Sequence, residues 1–225
     1  MERNCQKTTV SRKMANLLEK YLFRYQRPIV TDVEISALSK GTPDSRYGQI
    51  KRLLAQHKLI RIRRGLYCIS DQFGQHTKPH PFELAQFIYG PSYISFESAL
   101  SFHQLIPEAV YGITSACIQR SKTFNTPIGI YSYTKLPMLN FYLSVDLVSI
   151  DKTSFFIAKP WKALCDYVFY IKIEYKNLSV LCESLRIDLD ELPLISKQEI
   201  AQLNAYYRNQ RVSRFLAGLM NEGSI

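Results

Sequence analysis

Apolar positions fall into a helical rhythm over the first quarter of the chain. Leu17, Leu18, Tyr21, Leu22 and Tyr25 recur at three- and four-residue spacing, which predicts a helix from Arg12 to Tyr25 that ends before Pro28. A second, short helix is predicted from Thr31. Its hydroxyl can cap the first turn, Asp32 and Glu34 suit the positive end of the helix dipole, Ile35 and Leu38 point inward, and Gly41 stops it. The third helix opens in TPDS, with Pro43 in its first turn, and runs to about His57. Ile50, Leu53 and Leu54 form its apolar face, while Arg46, Gln49, Arg52 and Gln56 fall on the other. The rhythm then changes from helical to alternating. LIRIRRGLYCIS, residues 59–70, reads as a two-stranded hairpin with Ile60 and Ile62 against the helices, Arg61 and Arg63 outward, and Arg64-Gly65 in the turn.

GQHTKPHP, from Gly74 to Pro81, interrupts both rhythms and reads as a linker between a domain of residues 1–73 and one of residues 82–225. Beyond it, FELAQFIYG predicts a short helix and YIS a brief strand, and Ser95 is placed to cap a helix reaching Gln104. Four β-rich stretches follow, YGITSACIQ, IGIYSYTKL, FYLSVDLVSI and TSFFIA, which predict a small, mostly antiparallel sheet. KPWKALCDYVFYIKI and NLSVLCESL are helical in pattern. Ser196 and Glu199 predict a capping box before a last helical region, with Ile200, Leu203, Tyr207, Val212, Phe215, Leu216 and Leu219 inward. The expected class is α+β: an N-terminal winged helix-turn-helix, then a mixed α+β domain with C-terminal helices.

Charge sharpens this division. The 225 residues carry a net charge of +10. Residues 1–70 hold 15 Lys/Arg against 5 Asp/Glu, and residues 71–225 hold 14 of each, so the whole excess lies in the first third. A positive field concentrated in this way attracts polyanions. A charged helix face or a basic hairpin alone is ordinary solvated surface. The order helix, short helix, helix, basic hairpin, together with the segregated charge, points to double-stranded DNA. Arg46, Gln49 and Arg52 are the candidates for base edges, Tyr47 for a phosphate or a packing contact, and Arg61, Arg63 and Arg64 for the backbone or a minor groove. Gly48 costs the third helix about 1 kcal/mol relative to Ala, and close approach of another backbone or of DNA would account for it.

Two stretches carry a resemblance. YISFESALSFHQLIPEAVYGIT (Tyr93 to Thr114) and IAKPWKALCDYV (Ile157 to Val168), placed after a basic hairpin containing RRGLY, resemble the AbiEi antitoxin family of bacterial abortive-infection systems. The family pattern has SAL, here Ser98 to Leu100, and a Pro-Glu-Lys-Ala-Leu stretch. Trp161 stands in place of that glutamate, while Lys162, Ala163, Leu164 and Asp166 match. The resemblance implies a repressor that binds repeats in its own promoter, with two or more copies on the DNA. It also implies that the second domain helps to neutralise a nucleotidyltransferase-like toxin, a functional partner that the family counters without a stable complex.

Other constellations point elsewhere. Cys5, Cys68, Cys117, Cys165 and Cys182 are scattered singly, which fits reduced thiols in the cytoplasm, and no apolar run is long enough to cross a membrane. His76 and His80 are separated by Pro79, which breaks the helix that would bring them to one face, so no metal site is expected. Asp188 and Asp190 form a D-x-D pair that could hold Mg²⁺, but no Gly-rich phosphate loop precedes it, and GxSxG and HExxH are absent. The reading is therefore of a non-enzyme without a cofactor. A nucleotide-processing enzyme built on these two acids is one rival, and a winged-helix regulator of another family with a ligand-sensing C-terminal domain is the other. Arg208, Arg211 and Arg214 read as a solvated stripe or a partner-binding one, and Trp161 as a core residue or a partner anchor.

Overall fold

A computed structural model describes residues 17–39, 42–73, 78–107, 111–171 and 178–221. The predicted start of the first helix, the stop at Gly41, most of the linker, Cys5 and His76 lie outside the described residues. The chain divides into two compact units, one running to His80 and taking in Thr126–Ile128, the other made of Pro81–Asn125 and the residues from Gly129 on.

The first unit runs α1 (residues 17–24), β1 (Ile29–Thr31), α2 (Asp32–Leu38), α3 (Pro43–Ala55), β2 (Leu59–Arg63) and β3 (Leu66–Ile69). The caps are those the sequence predicts. Thr31 accepts the Glu34 N–H at 3.3 Å and donates its own N–H to the Glu34 carboxylate at 2.7 Å, a reciprocal box that fixes the start of α2. Thr42 accepts the Ser45 N–H at 3.3 Å ahead of Pro43, which starts α3. The strands form an antiparallel sheet in the order β1-β3-β2. Gly65 makes the hairpin turn at φ +76°, where a side chain would be strained. The core takes Leu18 and Leu22 from α1, Val30 from β1, Ile35 from α2, Ile50 and Leu53 from α3, and Leu59, Tyr67 and Ile69 from the hairpin. Leu59 takes the place in this cluster expected of Ile60, which is only half-buried. The register shifts between Arg61 and Arg63, so strict alternation does not run through the strand.

The second unit runs α4 (Pro81–Ile88), β4 (Ser92–Ile94), α5 (Phe96–Phe102), β5 (Gly112–Cys117), β6 (Lys122–Thr126), β7 (Gly129–Lys135), β8 (Val145–Ile150), β9 (Thr153–Ala158), α6 (Pro160–Tyr170), α7 (Leu178–Leu185), a 3-10 turn (Leu189–Glu191), α8 (Lys197–Tyr207) and α9 (Gln210–Asn221). The α+β class holds, but the sheet is larger and more mixed than expected. Its six strands run β6-β7-β5-β4-β9-β8, with β4-β5 and β8-β9 antiparallel and β4-β9 and β5-β7 parallel. Chain neighbours suggest hairpins, whereas here β7 returns beside β5 in the same direction and β9 beside β4. The last helical region is two helices. Arg208 turns the chain at φ +46°, and the Asn209 side chain then caps α9 by accepting the Arg211 N–H at 3.0 Å. Among the described residues no helix is long and apolar enough to cross a membrane.

Candidate nucleic-acid interface

α3 presents a face different from the one the apolar pattern suggests. Its buried residues are Gln49, Ile50 and Leu53, and Leu54 is only half-buried, so the inward arc is turned by about one position. Gln49 is 4% exposed, and its Oε1 finds no hydrogen-bond partner among the described residues. Burial withdraws it from base readout, which needs both amide atoms at the surface. Tyr47 stands 70% exposed, with Lys51 four residues on and Arg52 beside it. Lys51 is not one of the sequence candidates, although its spacing from Tyr47 marks it. Arg46 is half-buried and donates to the Ser36 hydroxyl, and Arg52 Nε donates to the Gly48 carbonyl at 3.3 Å, along its own helix. A Cβ on Gly48 would meet nothing within 4 Å, so no backbone of the described residues requires a glycine there.

The hairpin lies beside this face. Arg61, Arg63 and Arg64 are all exposed, with Arg61 paired across the strands to Tyr67 and Arg63 to Leu66. The Tyr67 phenol joins the two elements. Burial raises its pKa, the Asp32 carboxylate raises it further, Arg61 lowers it, and Tyr47 raises it, so α2, α3 and β2 all bring a group within electrostatic reach of this one hydroxyl. The hairpin turn is also tied to α2, whose first N–H, that of Asp32, donates to the Gly65 carbonyl at 2.9 Å. Tyr67 and Asp32 are members of the site that the sequence did not reveal, because nothing in their spacing announces a neighbour 20 or more residues away. Three other cations of this unit lie against acids: Lys58 against Glu19, Arg27 against Glu34 at 2.5 Å, and Lys78 against Asp71 at 4.0 Å. Burial pushes Glu34 up, but hydrogen bonds from Tyr25 and Thr31 and the charge of Arg27 outweigh it and hold its carboxyl below the usual range.

Several residues of the two stretches quoted for the family resemblance lie in the interior. Lys162 and Asp166, one turn apart on α6, form a fully buried ion pair at 2.6 Å. Lys162 Nζ also donates to Tyr93 at 2.7 Å and Tyr207 at 2.8 Å, and the Tyr206 ring centroid lies 4.3 Å from it. The Asp166 carboxylate accepts from Ser95 at 2.6 Å, from Tyr93 at 3.0 Å and from Tyr207. Ser95 therefore sits at the α5 N-cap without capping it, its hydroxyl directed to Asp166 instead. Trp161 is a core residue, its indole N–H donating to the Pro193 carbonyl at 2.7 Å.

The remaining candidates are dispersed. Asp188 and Asp190 are exposed, and the Asp188 carboxylate caps the 3-10 turn by accepting the Asp190 N–H at 3.1 Å. No group of three or more His, Cys, Asp and Glu among the described residues could hold a metal ion. An open groove of about 610 Å³, lined by Cys182, Glu183, Arg186, Asp188 and Asp190 among others, runs along α7 and this turn. Arg211 donates to the Phe169 carbonyl at 3.1 Å, which removes it from a uniform solvated stripe with Arg208 and Arg214. Cys68, Cys117, Cys165 and Cys182 are buried thiols outside any disulfide among the described residues, and burial pushes the Cys68 thiol up to about 12. No family model matches the chain, and no curated protein matches it.

Proposed function

We propose that the chain is a DNA-binding transcriptional repressor whose first unit is a winged helix, with α3 in the major groove and the β2–β3 turn on the adjacent backbone. The observation that carries this reading is that α3, which exposes Tyr47, Lys51 and Arg52, packs on β2 of the hairpin that exposes Arg61, Arg63 and Arg64. The order α1-β1-α2-α3-β2-β3, with the sheet order β1-β3-β2, supports it. Arg46 and Arg52 would leave their present hydrogen bonds to reach base edges, Tyr47 and Lys51 would contact phosphates, and Gln49 would support the helix from inside. One such module reads a short site, so two copies on promoter repeats are expected. The resemblance to AbiEi antitoxins in YIS, SAL and KALCDYV extends the proposal: the second unit would serve the neutralisation of a nucleotidyltransferase-like toxin. The groove along α7 favours a second reading, a regulator of another family that senses a small ligand there.

The test is a salt titration of binding to the DNA upstream of the gene. Replacing Arg61, Arg63 and Arg64 together with Ala should weaken binding to every duplex and flatten the slope of log affinity against log salt by about 0.9 for each phosphate that is no longer neutralised. An unchanged slope removes the hairpin from the interface. Co-expression with the product of the neighbouring gene, scored as growth rescue, separates antitoxin from ligand sensor.

A further inference from the structure

The turn that carries the arginines also carries an acid. Asp32 is exposed, is the first residue of α2, and has its backbone N–H on the Gly65 carbonyl at 2.9 Å. Its Cβ would lie 3.7 Å from a Cβ placed on Gly65, so its side chain rises directly against the hairpin turn. Glu19, Glu34 and Asp71 of the same unit each stand within ion-pair distance of a cation, whereas Asp32, like Asp44 at the start of α3, forms no ion pair among the described residues; of the two, Asp32 is the one set against the turn that follows Arg63 and Arg64. The capping of α2 does not require it, because Thr31 and Glu34 already form the capping box.

We infer that Asp32 sets the selectivity of the interface by repelling phosphate from the hairpin turn, so that the arginines hold a duplex firmly only when α3 is seated in a matching groove. This rests on the DNA-binding reading above. A cationic turn without an opposing charge binds any backbone, because phosphate contacts carry no sequence information. A fixed carboxylate at the turn costs most in the sequence-independent mode, where the turn carries the binding, and less once the base contacts of α3 set the register of the backbone against it, so it widens the difference between a matching and a random duplex.

The experiment compares the full chain with its Asp32→Asn and Asp32→Ser variants, both of which keep a helix-compatible polar side chain, and with Asp71→Asn as a control of equal charge change. Fluorescence anisotropy is measured with the DNA upstream of the gene and with a random duplex of equal length. Asp32→Asn and Asp32→Ser should bind the random duplex about three- to tenfold more tightly at low salt, narrow the ratio between the two duplexes, and lose most of the gain as salt is raised. An unchanged or weakened affinity for the random duplex overturns the inference, as does an equal gain from Asp71→Asn, which would reduce the effect to net charge. If the unaltered chain binds neither duplex, the DNA-binding reading itself fails.

Discussion

Lys162 and Asp166 show how a single buried pair is made tolerable. Both charges lose their water entirely, which costs several kcal/mol per ion unless every donor and acceptor finds a partner. Here Tyr93, Ser95 and Tyr207 complete the set. Lys162→Met leaves the carboxylate without its cation and should cost about 3–5 kcal/mol in a urea titration of the full chain. The same cluster dictates an alkaline response. Burial and the Asp166 charge raise the pKa of Tyr93, Tyr206 and Tyr207 above their ordinary 10.0, so their contribution to stability is intact below pH 10 and falls above it. The loss is about 1.4 kcal/mol per pH unit for each phenol still protonated in the fold. Lys162 acts in the opposite sense, since burial lowers its pKa and stability gains as the unfolded ammonium approaches its ordinary 10.5. Three phenols outweigh one ammonium. The buried thiols, Cys68 among them, begin the decline at their ordinary 9.0, so unfolding free energy should fall from about pH 9 and more steeply from pH 10 upward; a slope that does not steepen between pH 10 and about pH 11.5 would contradict the buried phenol network.

At the scale of elements, α3 carries the most direct test. Gly48 has open space where a Cβ would stand, so Gly48→Ala should stabilise the helix by about 0.8–1.0 kcal/mol in a thermal melt. If the duplex comes close to the α3 backbone, the same methyl group should weaken binding to the upstream DNA; a gain in stability with unaltered affinity would place the DNA contacts on side chains alone. The starts of α2 and α3 were legible in the sequence because Thr31 and Pro43 are local signals acting on the nearest turn, and Gly65 marked the hairpin for the same reason. What was not legible depends on distant partners. β1 is three residues that pair with β3 almost 40 positions later, and β6, KTFNT, is largely exposed and shows little alternation. Gln49 reads as polar surface until the packing of α3 turns it inward. Ser95 reads as a cap until Asp166, 71 residues on, takes its hydroxyl. Tyr93, Ser95, Lys162 and Asp166, which lie in the two quoted stretches, build this interior network together with Tyr207.

Over the whole molecule, charge and core follow the same division. Residues 1–80 carry 16 Lys/Arg against 6 Asp/Glu, and residues 81–225 carry 13 of each. The hydrophobic cluster formed by Leu18, Val30, Ile35, Ile50, Leu53, Leu59, Tyr67 and Ile69 draws on the first unit alone. A self-contained cluster of this kind is what a domain of this size needs to fold by itself. Residues 1–80 produced alone should therefore melt cooperatively and, if the proposed interface is right, bind the upstream duplex with the salt slope of the full chain, since the phosphate contacts it assigns to this unit would set that slope. Affinity should fall if the second unit helps two copies occupy paired sites, because linked binding raises the effective concentration without adding a DNA contact. Residues 81–225, balanced in charge, should show no comparable salt-dependent affinity. A folded 1–80 fragment without affinity, or a shallower slope than that of the full chain, would move part of the DNA contact into the second unit and separate the charge excess from the function assigned to it.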